Sequence, residues 1–224
     1  MTADSARPLR ADARRNRDQI LAAARRVFGA LGPDVPMEEI ARQAGVGVGT
    51  LYRRFPDRTS LILAVAQESF TQVLAGARAA VAEEASAWNT LVRLLHTSGE
   101  LRLGIQLTIL SPLAARAIEQ DPETTRFQRD LLAILDEVVR AAQTEGTLRP
   151  DVGTGDVAAL LSLLLRPMHA VPDTTARQVS ERATALLLDC LRAPSRSPLP
   201  GTPLTVEQLK PGVGRDSGPR SGGS

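Results

Sequence analysis

Cysteine, histidine, aromatic residues and lysine are all scarce in this chain of 224 residues. The one cysteine, Cys190, allows no internal disulfide and no cysteine-rich metal site. With His96 and His169 as the two histidines, a zinc centre would need carboxylates to complete its ligand set. No such cluster is legible, and no metal or other cofactor is expected. Aromatic residues make up 3% of the chain while alanine and leucine recur throughout, a balance that suits helix packing over sheets. The longest stretch without a formal charge is Leu103–Ala115, below the roughly 18 residues of a membrane-spanning helix. The segment Met1–Arg17 is charged and lacks the apolar centre of a signal peptide, so a cytoplasmic protein with no membrane partner is expected. There is also no glycine-rich phosphate loop and no Gly-x-Ser-x-Gly elbow, and catalysis finds no support.

Charge is present but unevenly placed. The net charge is +2, yet residues 1–58 alone carry eleven arginines against seven acids. A basic N-terminal quarter on a mildly acidic remainder suggests an end that faces a polyanion, most often nucleic acid. Solvated helix faces are often rich in arginine too, and Lys210 is the only lysine, a bias that genomic base composition can produce.

Apolar spacing predicts an all-α fold. Residues 1–13 show no periodicity and read as a basic arm. From Arg14 to Leu31, apolar side chains at Ile20, Leu21, Ala24, Val27, Phe28 and Leu31 mark one helical face, ended by Gly32-Pro33. A short helix over about Pro36–Ala44 has Glu38 and Glu39 where acids favour the helix dipole. After the glycine-rich turn 45–49 a third short helix reaches Phe55. Asp57 is a plausible cap for a fourth, from Arg58 to about Val81, with Ile62, Val65, Ser69, Phe70, Val73 and Ala77 along one side. Further helices are predicted near Ala87–Leu101, Leu103–Leu110, Pro112–Glu119, Thr124–Thr144, Thr154–Met168 and Asp173–Arg192. Residues 193–224 hold six prolines, six glycines and five serines, and a disordered tail is expected there.

The second and third helices with the tight turn between them form a helix-turn-helix, cored by Ile40, Ala41, Ala44, Val46, Leu51 and Phe55. Periodicity alone favours an ordinary helical hairpin. The outward residues shift that balance. Thr50, Tyr52, Arg53 and Arg54 place hydroxyl and guanidinium groups on one short helix, where they suit phosphate oxygens and base edges.

The ordered elements Asp18-Gln19-Ile20-Leu21-Ala22-Ala23-Ala24, Met37-Glu38-Glu39-Ile40-Ala41 and Ala44 to Phe55, with its Gly-Thr-Leu-Tyr-x-x-Phe core, resemble the DNA-binding domain of TetR/AcrR transcriptional regulators. The likeness covers about a quarter of the chain. It implies a three-helix DNA-binding domain over 14–57 and a helical effector-binding and dimerisation domain over 58–192. Carried over by position, Val48, Thr50, Tyr52 and Arg54 would face DNA, with Arg53 beside them and Arg58 gripping a phosphate. Arg54 stands where many members have histidine, Arg58 where many have lysine, and Gly47 where many have serine. Arginine keeps the donors but alters their geometry. The implied function is a homodimeric repressor on a near-palindromic double-stranded operator, released by a small-molecule effector. The alternative is a helical ligand carrier or enzyme with no DNA role, which would leave the 50–55 helix unexplained.

Beyond Phe70 the likeness fades, although Glu145-Gly146-Thr147-Leu148-Arg149-Pro150-Asp151 looks like an SbtR-like subgroup. An apolar effector pocket is expected among Phe70, Val73, Leu95, Ile109, Phe127, Leu131, Leu135 and His169. The segment Val157–Leu165 is apolar almost all round and the last helix repeats the pattern, which suits a subunit interface at Leu161, Leu165, Leu187 and Leu191. A thick monomer core would produce the same pattern. Cys190, on that apolar stripe, reads as a small buried hydrophobe, Trp88 as a lid over apolar surface, and the two histidines as polar fillers.

Overall fold

In the computed structural model the described residues are 6–166, 173–194 and 197–209, with side chains from Arg14 onward except those of Asp173, Arg177 and Leu209. His169, one of the expected pocket residues, lies outside them. Among the described residues ten α-helices follow one another: α1 Ala6–Leu31, α2 Met37–Ala44, α3 Val48–Arg54, α4 Arg58–Glu83, α5 Ala87–Thr97, α6 Arg102–Leu110, α7 Pro112–Gln120, α8 Pro122–Thr144, α9 Thr154–Leu164 and α10 Asp173–Leu191. No strand ladder occurs among the described residues, so the all-α expectation holds.

Local chemistry explains the boundaries. Asp57 accepts the backbone N–H of Ser60 at 2.7 Å, capping α4 where its first free amides need an acceptor. Ser111 takes the Ala114 amide and is followed by Pro112, a residue suited to the first helical turn of α7. Asp121 accepts the Thr124 amide at 2.9 Å, which moves the start of α8 back to Pro122. The helix expected over Ala87–Leu101 instead tightens into a 3-10 turn at Ser98–Leu101.

Packing divides the chain into two compact units, Met1–Gly76 with Ser98–Arg129, and Ala77–Thr97 with Asp130–Ser224. The divisions fall inside α4 and α8 rather than at the 57/58 junction of the expected roles. In the first unit Ile20, Leu21, Ala24 and Phe28 of α1 meet Ile40 and Ala41 of α2, Leu51 of α3 and Leu61, Ile62 and Val65 of α4. Leu107, Ala114 and Ile118 of α6 and α7 join the same core. Each fully buried leucine, isoleucine or phenylalanine contributes roughly 1.5–3 kcal/mol. The second unit is cored by Trp88, Leu91 and Leu95 of α5, Leu135, Val138, Val139 and Ala142 of α8, then Leu148, Val152, Val157 and Leu191. Trp88 is buried, and the Arg192 guanidinium stacks over its ring at 4.8 Å.

Three expectations are corrected. The helix reaches back to Ala6, so residues 6–13 are not an unstructured arm. Cys190 is exposed, because α10 turns Leu191 and not its neighbour into the core. Residues 197–209 of the expected disordered tail are ordered, since their main chain finds partners at the start of α9.

Candidate nucleic-acid interface

The turn between α2 and α3 sets the interface. Gly45 ends α2 in the left-handed region, at φ 68°, which an L side chain rarely adopts. Its N–H reaches the Arg42 carbonyl at 3.2 Å, and the Val46 N–H reaches that of Ala41 at 3.1 Å. This paired closure redirects the chain within two residues. Val46 then packs against the first core, fixing the entry into α3.

On α3, burial of one side determines what the other presents. Leu51 is fully buried and Phe55, just past the helix, is nearly so. With those two anchored, the helical period turns Val48, Tyr52, Arg53 and Arg54 outward and leaves Thr50 half-buried. All six DNA-facing candidates therefore lie on α3 or at the start of α4, and four of them are exposed on the outward side of the reading helix. Neither Arg53 nor Arg54 is paired with a carboxylate among the described residues, so both guanidinium groups are available to an anion.

Two neighbours are already engaged. The Tyr52 hydroxyl donates to Glu38 on α2 at 3.3 Å. Arg58 donates through one guanidinium nitrogen to the carbonyls of Pro33, at 2.5 Å, and Val35. Arg58 thus ties the α1–α2 connection to the first turn of α4, a contact beyond the phosphate grip expected of it. On α2, Glu39 accepts from Arg42 at 2.6 and 2.8 Å and from Gln43 at 3.0 Å. The Arg42 hydrogen bond, seconded by Gln43, lowers the Glu39 carboxyl from 4.5 to about 2. The Glu38 and Arg58 contacts had no signal in local spacing, because the partners are 14 and more than 20 residues away along the chain.

The expected pocket residues are divided between the units. Phe70 and Phe127 belong to the first and stack at 4.3 Å between ring centroids, 9° from parallel. Val73 of the same unit is buried, whereas Ile109 is 47% exposed. Leu95 and Leu135 belong to the core of the second unit, and Leu131 of that unit is half-buried. The second unit also carries a cleft of about 310 Å³ bordered by Val81, Thr90, Glu137, Val138, Ala141 and Glu145, none of which was anticipated.

The expected interface leucines are sorted as well. Leu165 and Leu191 are buried within the monomer, a correction to their placement on a free face. Leu161 and Leu187 pack partly against the second core. The exposed large apolar residues on α9 and α10 are Leu160, Leu163, Val179 and Leu186.

A short exposed reading helix, fixed by a tight turn to a three-helix base, defines a helix-turn-helix DNA-binding protein. The chain matches the family of bacterial regulatory proteins of the tetR family over residues 20–65 and the SbtR-like transcriptional regulator C-terminal domain over residues 83–193. The TetR transcriptional regulator SCO0520 from Streptomyces coelicolor shares 31% identity, with 79% of this chain and 98% of that one covered and a TM-score of 0.59. A TetR transcription regulatory protein from Mycobacterium vanbaalenii shares 33% identity over 83% of this chain and 99% of that one, with a TM-score of 0.57. An HTH-type transcriptional regulator of Staphylococcus aureus strain USA300 is 40% identical over 60 residues, 26% of this chain. That match spans about a third, 32%, of the curated relative's own length. The chain belongs to the TetR family of transcriptional regulators, and it is a DNA-binding regulator, not an enzyme. No helix among the described residues is long and apolar enough to cross a membrane.

Proposed function

We propose that the protein is a cytoplasmic homodimeric repressor that reads a near-palindromic operator and leaves it on binding a small apolar ligand. The observation that carries the reading is the outward face of α3, where Val48, Tyr52, Arg53 and Arg54 are exposed while Leu51 is fully buried. One such helix per chain reads one half-site, and two copies reach successive major grooves about 34 Å apart. The apolar residues left exposed on α9 and α10 support self-association.

The Phe70–Phe127 stack supports an effector site in the first unit. Gly104 lies beside it, where a Cβ would stand 3.8 Å from the Phe70 ring. An effector that prefers the conformation with poor DNA affinity weakens operator binding by the factor by which DNA weakens effector binding. Couplings of roughly 1–3 kcal/mol give about 5–150-fold relief.

Gel-shift against the upstream region of its own gene, followed by footprinting, tests the reading. A symmetric pair of protected half-sites is expected. A single unsymmetric half-site defeats the dimeric operator, and a ligand with equal affinity for free and operator-bound protein is not the effector.

A further inference from the structure

The connection between α8 and α9 forms a cradle filled by a later part of the same chain. Arg149, buried at 8% exposure, donates to both carboxylate oxygens of Asp151 at 2.7 and 2.9 Å. The same guanidinium donates to the carbonyls of Cys190 at 3.3 Å and Ser197 at 2.7 Å. Asp151 also accepts the Leu199 amide at 3.0 Å, and Asp156 accepts the amides of Gly153 at 2.7 Å and Leu204 at 3.0 Å. In return the Gly155 N–H donates to the Leu204 carbonyl at 2.9 Å.

Every partner on the later segment is main chain. Its leucine side chains stay 44% and 37% exposed, at Leu199 and Leu204, so apolar burial is not what holds it. The sequence Ser197-Pro-Leu-Pro-Gly-Thr-Pro-Leu-Thr205 fits that role. Prolines at 198, 200 and 203 restrict the undocked backbone and reduce the entropy lost on docking. Both amides that donate to the cradle fall on its two non-proline leucine positions. The cradle is equally particular. A Cβ on Gly155 would stand 2.5 Å from the Thr205 carbonyl oxygen and 2.6 Å from that of Leu204, and one on Gly153 would also strike the Leu204 backbone. These obstacles are backbone atoms, so no rotamer change relieves them.

We propose that residues 197–205 are a strap whose main chain docks in this cradle, and that docking fixes α9 against the end of α10. Arg149 bonds the last turn of α10 and the strap with one side chain, while Asp156 and Gly155 bind the strap to the first turn of α9. The strap therefore sets the relation of the two helices that carry Leu160, Leu163, Val179 and Leu186. Its effect on self-association rests on the dimer proposed above, whereas its docking does not.

The test uses the full chain with Gly155→Ala, with Leu199→Pro plus Leu204→Pro, and with all three substitutions. Alanine is ordinarily the better helix residue, so Gly155→Ala without a strap would raise Tm. In the natural chain it is expected to lower Tm and to speed amide exchange at Leu199 and Leu204. The paired prolines, which delete both donors and keep the carbonyls, are expected to lower Tm by several degrees. In that background Gly155→Ala is expected to lower Tm no further. An equal fall in both backgrounds, no fall in the natural chain, or unprotected Leu199 and Leu204 amides in the natural protein overturns docking. In sedimentation, the prolines are expected to weaken the dimer at least tenfold. A natural chain that is monomeric defeats the dimer reading alone, with docking still decided by Tm and exchange. A natural dimer unmoved by the prolines defeats the strap's role in self-association.

Discussion

The Tyr52 hydroxyl of the reading helix is held by the Glu38 carboxylate of α2 at 3.3 Å, across the turn that joins the two helices. On the proposed reading, the contact orients the ring before DNA arrives and places a negative charge beside the surface proposed to meet phosphate. Glu38→Ala should consequently act in two directions. Binding to a scrambled duplex tightens as the repulsive charge is lost, while binding to the operator weakens as Tyr52 loses its anchor. Parallel gel-shifts read the ratio, and an unchanged ratio refutes the orienting role.

Arg54 faces outward with no carboxylate partner among the described residues. Arg54→Ala and Tyr52→Phe should each weaken operator binding, by about 1–3 kcal/mol where the lost group reads a base edge. Competition with operators altered one base pair at a time identifies the position at which discrimination is lost. Operator affinity equal to the natural protein in both folded variants would remove these residues from the interface.

Arg58 supports the carbonyls of Pro33 and Val35, and its removal leaves two acceptors without their partner. Arg58→Ala is expected to destabilise the protein by about 1–3 kcal/mol in urea melts. It should lower affinity for all duplexes alike, since phosphate and positioning contacts carry no sequence information. A variant with natural stability and weakened DNA binding would return Arg58 to a phosphate role alone.

Leu163 and Leu186 are 61% and 64% exposed in the monomer, whereas Leu191 is 2% exposed. Leu163→Asp and Leu186→Asp should therefore dissociate the proposed dimer and leave the fold intact, because an unpaired charge in an apolar interface is costly. Leu191→Asp should instead unfold the second unit. Light scattering combined with circular dichroism separates the two outcomes, and a folded dimer carrying Leu163→Asp and Leu186→Asp together rules out this face.

Glu39 titrates at about 2 because Arg42 and Gln43 hydrogen-bond its ionised form. A depressed acid stabilises the folded state above its unfolded value near 4.5, and this contribution is lost as pH falls toward about 2. Arg42→Ala should return the Glu39 midpoint most of the way to the ordinary range in an NMR titration. Solvent screening of this partly exposed pair keeps the effect on stability small. A midpoint unmoved by Arg42→Ala would assign the shift to Gln43.

Helix positions were legible from local chemistry. The three- and four-residue spacing of Ile20, Leu21, Ala24, Val27 and Phe28 placed α1's buried face, and all five are buried. Leu31 satisfied the same period yet is 67% exposed, because it falls at the helix end beyond the α2–α4 packing. The reading helix was legible for a related reason. Gly45, Leu51 and Phe55 impose a turn and a buried side within eleven residues, and the exposed side follows from the helical period.

Contacts between distant segments were decided only in three dimensions. Sequence pattern marks Leu191 and Leu186 alike as apolar positions of α10, but the first fills the second core and the second faces outward. Composition marks residues 193–224 as loop formers, and it carries no record that Asp151, Gly155 and Asp156 provide the main-chain partners that order 197–205. Spacing along one helix reports which residues share a face, since neighbours there are covalently fixed. What covers that face depends on residues tens of positions away, whose approach is governed by packing and hydrogen bonds that no local pattern encodes.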